Sequence, residues 1–514
     1  MAVFLYVLMA NIDILFNFMA NIHLTNSAIT CMLKNNKNLF EAFKMEFIGR
    51  ENELELLRDW NKKSSKLTVI YGRRRVGKTR LVEEYTKNET IYKFEGIEGQ
   101  SKKNQQKAFL SQLSLQCNAP GLRELSPQNW NGLFLLLSNL IGPDPCVVFF
   151  DEFQWMAGDR NEVVSYLKFS WDNIFTPQNK VHLILCGSLS SFMVKNVLKS
   201  KALYGRVEAE IHLRPLFLPV LISAFGKKRS LREFVELYMA IGGIPQYLKI
   251  IDFSKSVFLN LQRLCFSSNG YLVNELDRIL ISHFGKNKIY RNILIYLAKN
   301  RWRNREQIQK ECRVGSGGRI SEYLENLELA GFLERYISVD KPNGIRNARY
   351  RIADPYLLFY FNFIYPNLKK INQPGEPFPI THFLPEKQYL PWQGFAFEKV
   401  CFQHSRLIAE KLGFGAVRYN AGSWFKKGLQ NTKTQIDLIY ARADGVLTLC
   451  EIKFTRNKIG KEVIKDIEKK VETLPNPKQL TVEKVLITAA MPTKPLLNEG
   501  YFNGILTIED IFGS

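Results

Sequence analysis

Gly72-Arg73-Arg74-Arg75-Val76-Gly77-Lys78-Thr79 follows the apolar run Leu67 to Tyr71 and opens what reads as a helix from about Thr79. The octapeptide fits G-x-x-x-x-G-K-[ST], and a strand before it with a helix after it is the context this motif requires. Its glycines let the backbone curl so that successive N–H groups point at phosphate oxygens, and the helix N-terminus adds partial positive charge. Lys78 is expected to meet the β and γ phosphates of ATP, and Thr79 to offer its hydroxyl to Mg²⁺. Gly72, Arg73, Arg74, Arg75, Val76, Gly77, Lys78 and Thr79 are therefore the candidate nucleotide-binding residues. The three arginines add positive charge whose targets the sequence does not assign.

Hydrolysis also needs a carboxylate for the metal and a group to polarise water. Cys146-Val147-Val148-Phe149-Phe150-Asp151-Glu152 supplies both at the end of an apolar strand. Asp151 is expected to bind nucleotide-associated Mg²⁺, and Glu152 to act on the attacking water. A third apolar run, His182 to Cys186, leads into Gly187-Ser188, where Ser188 either senses the γ-phosphate or merely forms a turn. Such runs alternate with longer helical patterns, so the first domain reads as α/β with a mostly parallel sheet.

Strand signals vanish between about Leu231 and Phe284, where amphipathic helices and Gly242-Gly243-Ile244-Pro245 suggest a helical lid. Helical patterns at Arg291 to Lys299 and Arg319 to Ala330 precede two short strands, near Glu334 to Ser338 and Ala348 to Ile352, with a turn at Lys341-Pro342-Asn343-Gly344 between them. That order suggests a winged helix. Arg313, Arg319, Lys341, Arg346 and Arg349 favour a DNA-facing role, whereas Glu322, Glu325 and Glu328 put negative charge on the recognition helix, so a packing role stays open.

Near the C-terminus, Gln435 to Tyr440 and Leu447 to Lys453 alternate as strands around Ala443-Asp444-Gly445, a hairpin signal. Asp437 and Glu451 are then expected to meet across adjacent strands. With Lys453 they match the D…E-x-K core of restriction-endonuclease-like, or PD-(D/E)xK, folds, in which paired carboxylates bind Mg²⁺ and the lysine positions the nucleophile or offsets charge. Glu398, on a helix near Phe395 to Val400, is a candidate extra metal ligand. The same scaffold serves elsewhere as a binding domain, so cleavage does not follow from the fold.

Phe47-Ile48-Gly49-Arg50-Glu51, the phosphate loop, Phe150-Asp151-Glu152, Gly187-Ser188, Leu203-Tyr204-Gly205-Arg206 and Gly242-Gly243-Ile244-Pro245 together resemble the archaeal-type AAA+ ATPases of archaea and bacteria. The resemblance spans about Met45 to Ser514, including the uncharacterised C-terminal domain often fused to these ATPases. It implies ATP binding with hydrolysis, and makes Arg206 a candidate arginine finger or sensor, which in trans requires a homo-oligomer. The expected organisation is an ATPase core over 45–225, a lid over 226–285, a winged helix over 286–365, a linker over 366–390 and a restriction-endonuclease-like α/β domain over 391–514.

The chain has 514 residues, 46% of them apolar, with 71 Lys and Arg against 49 Asp and Glu. The length favours three or four domains. The formal net charge of +22 favours a polyanionic partner, DNA ahead of RNA, over a neutral one. Eight cysteines without a CxxC pair indicate neither a disulfide framework nor a zinc site, which suits a reducing cytoplasm. Residues 1–20 are apolar but carry Asn11, Asp13 and Asn17 and lack a basic n-region, so neither a signal peptide nor a membrane span is expected. Residues 1–44 read as an extension from an upstream start. The leading expectation is an ATPase that controls a metal-dependent, nucleic-acid-directed nuclease-like domain. The rivals are a regulatory switch or DNA-binding protein that does not cleave, and an ATPase whose appended domains bind protein.

Overall fold

A computed structural model describes residues 47–158, 162–178, 180–300, 302–315, 318–336, 348–375, 378–427 and 433–513. The expected N-terminal extension, and Lys341 and Arg346 of the expected wing, lie outside them. Gly49–Ser514 cluster as one unit.

The first sheet is made of β1 (Lys66–Tyr71), β2 (Ile91–Glu95), β3 (Cys146–Asp151), β4 (Val181–Gly187) and β5 (Ala209–His212), in the order β2-β3-β4-β1-β5. Every pairing in it is parallel. All residues of β1, β3 and β4 are buried, as strands covered on both faces require, which is why they read as continuous apolar runs. Helices Lys102–Gln116 and Trp130–Ile141 cover one face through Phe109, Trp130 and Phe134, which pack with Phe94 and Phe150 of the sheet. Strand β4 separates β1 from β3, and its register with β1 sets Tyr71 beside Gly187. The ends of all three strands therefore open on one edge, where ligands of parallel sheets bind.

Helices Leu231–Ile241, Pro245–Leu248, Val257–Cys265 and Glu275–Phe284 follow, in the region expected to be all-helical. The next helix is Lys288–Ala298, starting three residues before the expected Arg291 because the Asn287 side chain caps it at the Ile289 N–H. A short strand β6 (Arg303–Asn304) and the helix Arg305–Glu311 come next, both unanticipated. An Asn304/Gln307 capping box starts that helix. Helix Arg319–Leu329 precedes β7 (Leu333–Tyr336) and β8 (Arg349–Ile352), and the three strands form an antiparallel sheet in the order β6-β8-β7. Ile320, Leu324 and Leu327 are buried along one face of that helix. The acidic face of that helix is covered in part: Lys195 of the first domain pairs with Glu325 at 3.2 Å and donates to Asn326 at 3.1 Å, while Glu322 stays exposed.

The helix Glu386–Gln403 runs through position 391 and keeps Pro391 inside it. Proline there removes one helical N–H, and the carbonyl left over belongs to exposed Lys387. The last sheet contains β9 (Tyr419–Lys427), β10 (Lys433–Arg442), β11 (Val446–Lys453), β12 (Thr481–Thr488) and β13 (Gly504–Thr507), ordered β13-β12-β11-β10-β9. It is mixed: β11, β12 and β13 are parallel, while β10 runs antiparallel to both β9 and β11. Gly445 turns the β10–β11 hairpin at φ 83°, a conformation open to glycine.

Candidate functional site

The loop between β1 and the helix Lys78–Tyr85 curls through left-handed backbone at Arg75 (φ 72°) and Gly77 (φ 95°), with Gly72 at φ 150°. A Cβ on Gly72 would lie 2.3 Å from the Leu213 carbonyl oxygen, so only glycine fits there. Lys78 is buried and its Nζ donates to the carbonyls of Gly72 at 2.9 Å and Arg73 at 3.1 Å. The ammonium thus sits against the loop with carbonyl partners. Thr79 Oγ1 donates to Asp151 Oδ2 at 2.8 Å, which brings together one hydroxyl and one carboxylate across two elements. These are the hard oxygen donors that Mg²⁺ takes, so the pair fits that ion, and the curled loop with its buried lysine fits a triphosphate. Asp151 also accepts from the Glu152 N–H at 3.1 Å.

Glu152 has φ 48° and ψ 45°, sparsely populated for a residue with a Cβ, and such strain clusters where a side chain must be aimed. Ser188, buried at the end of β4, donates from Oγ to Glu152 Oε2 at 2.6 Å. Gln154 completes the triangle: its Nε2 donates to the same Glu152 oxygen and to Ser188 Oγ, the latter at 3.2 Å. Sequence reading missed Gln154. The signal was its place two residues after Glu152, at the end of a buried strand.

The side chains of Arg73 and Arg75 turn away from a ligand role. Arg73 is buried, ion-pairs with buried Asp354, donates to Tyr247 Oη at 3.2 Å and lies 5.1 Å from the Phe332 ring. Arg75 pairs with Glu275, which is fully buried and also accepts from Tyr247 Oη at 3.0 Å. What Arg73 and Arg75 can offer a nucleotide is therefore backbone N–H. Arg74, paired with Glu98 at 3.3 Å, has the most exposed side chain of the three, at 38% against 30% for Arg75. Val76 is buried, and its carbonyl accepts from Arg50 at 3.4 Å.

Gly242-Gly243-Ile244-Pro245 brings the helical region onto this loop. A Cβ on Gly243 would lie 1.8 Å from the Leu216 carbonyl oxygen, and Pro245 lies 3.9 Å from where a Gly77 Cβ would stand. Arg206, in contrast, is gripped by Asp172 through two hydrogen bonds of 2.7 and 2.8 Å and by the carbonyls of Ala202 and Tyr204. Its described partners do not include the phosphate loop.

Asp437 and Glu451 come together as the hairpin predicts. Leu438 faces Cys450 in the β10–β11 register, which sets the two carboxylates on neighbouring strands. Asp437 lies where the pairing with β9 slips between Ile436 and Ile439, a bulge of the kind that re-aims side chains beside active sites. Glu451 is buried and Lys453 Nζ lies 3.0 Å from it and 3.2 Å from Asp466. Burial works against charge on Lys453, but Glu451 and Asp466 outweigh it and hold its pKa above the usual range. A residue the sequence did not single out, Lys470, lies 2.5 Å from Glu451 Oε2 and 3.8 Å from Asp437 Oδ2. Glu398 is half-buried, and its charge acts with that of Asp437 on the buried Cys401 thiol, which burial itself raises most. With Lys453 and Lys470 both on these carboxylates, the pair as it stands does not fit a ready divalent-cation centre; among the described residues no three His, Cys, Asp or Glu side chains group as a metal site.

Residues 47–251 match the family model described as an ATPase domain predominantly from Archaea. Residues 360–467 match one described as archaeal and bacterial proteins of unknown function. An uncharacterized protein of Methanocaldococcus jannaschii is 29% identical over 400 residues, 76% of this chain and 84% of that protein. An uncharacterized ATP-binding protein of the same organism is 48% identical over 46 residues, 9% of this chain and 78% of that protein. Among solved structures, the Walker-type ATPase of Pyrococcus abyssi is similar at 21% identity, covering 62% of this chain and 97% of its own, with a TM-score of 0.47.

Proposed function

We propose that this P-loop ATPase hydrolyses ATP at the β1–β3–β4 edge and uses its nucleotide state to control a nucleic-acid-directed C-terminal domain. Lys78 and the loop N–H groups hold the phosphates, Thr79 and Asp151 hold Mg²⁺, and Glu152 takes the water, steadied by Ser188 and Gln154. Bound Mg²⁺ supplies neutralisation of charge on the phosphates. The observation that carries the coupling is the Arg73 to Asp354 ion pair, with both side chains buried. The loop that would wrap a nucleotide is thereby tied to the end of β8, and through Tyr247 and Glu275 to the helices expected to act as a lid. A shift of the loop therefore moves charges that cannot be left unpaired cheaply.

The nucleic-acid reading is supported by the +22 charge and by the D…E-x-K arrangement of Asp437, Glu451 and Lys453. The element order over residues 288–352 supports a winged helix, and the contact of Lys195 with Glu325 supports its use as a packing surface in this state. Seven described cysteines are free, which supports a cytoplasmic setting, and no described helix is long and apolar enough to cross a membrane. Arg206 acts as a finger in trans only if an oligomer releases it from Asp172.

The second reading is a switch that binds nucleic acid without cutting it, favoured by the two lysines on the C-terminal carboxylates. One assay separates the two. The full chain is incubated with Mg²⁺ and labelled single- or double-stranded DNA and RNA, with and without ATP, beside Asp437→Ala. Cleavage lost in the variant while ATPase activity persists supports the nuclease reading. Intact substrate in every lane supports the switch.

A further inference from the structure

Asp437 and Glu451 stand where a divalent cation is expected, yet a side-chain ammonium is already there. Lys470 is on the helix Glu462–Thr473, whose Val463 and Ile467 are buried against the sheet. Positions 463, 467 and 470 share one helical face, so Lys470 is carried to the carboxylates by the same packing that seats the helix. Its Nζ lies 2.5 Å from Glu451 Oε2 and 3.8 Å from Asp437 Oδ2, and only 17% of its side chain is exposed. Glu451 Oε1 is engaged separately, by Lys453 at 3.0 Å. Both oxygens of the buried carboxylate thus have a cationic partner.

We infer that Lys470 is a built-in counter-cation that closes the C-terminal centre to divalent metal, so that metal enters only when the lysine is displaced from between Asp437 and Glu451. This rests on the reading of that centre as a metal-dependent phosphodiester site. A divalent ion and an ammonium group cannot share the space between two carboxylates, because like charges that close together repel strongly where water is largely excluded. The lysine also stabilises a pair of carboxylates that would otherwise repel each other in partial burial. What displaces it is an anion able to draw the ammonium away, and a nucleic-acid phosphate has that chemistry. The centre is then inert to free metal and opens only with its polyanionic substrate in place.

The test is Mn²⁺ binding to the full chain without nucleotide, by calorimetry and by the loss of free Mn²⁺ electron-resonance signal. The same titration on a Lys470→Met, Asp437→Asn double variant subtracts Mn²⁺ held at the phosphate loop. Lys470→Met is expected to bind Mn²⁺ at least about tenfold more tightly than the natural chain. Lys470→Arg, which keeps the charge, is expected to remain as closed as the natural chain, and Lys470→Gln serves if the methionine variant does not fold. Equal, Asp437-dependent affinity in the natural chain and in Lys470→Met overturns the closure while leaving the metal reading intact. Absence of Asp437-dependent Mn²⁺ binding in all of them overturns the metal reading and the closure with it.

Discussion

Arg73, the second residue of the phosphate loop, and Asp354, which caps the helix Pro355–Phe359, form an ion pair in which the side chains are only 5% and 4% exposed. Burial opposes charge on Arg73, but Asp354 and the neighbouring Tyr247 and Glu275 hold the guanidinium firmly ionised. Taking one partner away strands the other in a dry site. Asp354→Ala should therefore lower unfolding stability by about 3–5 kcal/mol, part of it from the lost cap at Leu357. Pairing it with Arg73→Met should recover a measurable share. Urea denaturation of the single and double variants checks this, and an additive double variant would argue against the pair.

At the phosphate loop itself, Lys78→Ala should abolish ATP binding or hydrolysis, because no described side chain replaces its buried ammonium. Calorimetric ATP binding and phosphate release are the two readouts. Unaffected turnover in this variant would overturn the central reading.

Glu152→Gln should bind ATP and lose about 10²–10⁴ in kcat, the usual worth of a positioned base. Gln154→Ala and Ser188→Ala each remove one donor to the same carboxylate oxygen, and should lower kcat by roughly tenfold while sparing ATP affinity. A drop in affinity without a drop in kcat would assign these two residues to binding instead.

How much of this could be read beforehand depended on chain distance. The phosphate loop, Asp151, Glu152 and the Asp437/Glu451 hairpin are local patterns whose geometry follows from strand and turn chemistry. Asp354 and Glu275, the partners of Arg73 and Arg75, lie 281 and 200 residues away in sequence, and no local pattern encodes that pairing. The Asp437 bulge is equally silent, since an extra residue in one strand does not disturb the alternation enough to show. Lys470 was within reach, because it continues the 463/467 buried stripe of an amphipathic helix, where a lysine calls for an acidic partner.

His404 gives the chain an acid-sensitive joint. Its Nδ1 is 2.8 Å from the Val400 carbonyl oxygen, and its Nε2 accepts from the Leu218 N–H at 3.2 Å. The first contact requires the proton on Nδ1 and the second a lone pair on Nε2, so only the neutral ring serves both. Burial pushes the His404 pKa down to about 4, against a small upward pull from the Val400 carbonyl. Burial likewise takes His182, held between Thr68 and Tyr85, down to about 3. In the unfolded chain both titrate near 6.5. Between those values the unfolded state binds more protons than the folded one, so the stability is complete above about pH 6.5 and is lost as pH falls toward 4. Each histidine should therefore cost about 1.5 kcal/mol between pH 6.5 and pH 5. Urea denaturation at both pH values checks the slope. His404→Asn should be less stable at neutral pH and should lose less on acidification than the natural chain, and an unchanged slope would show that His404 does not carry the effect.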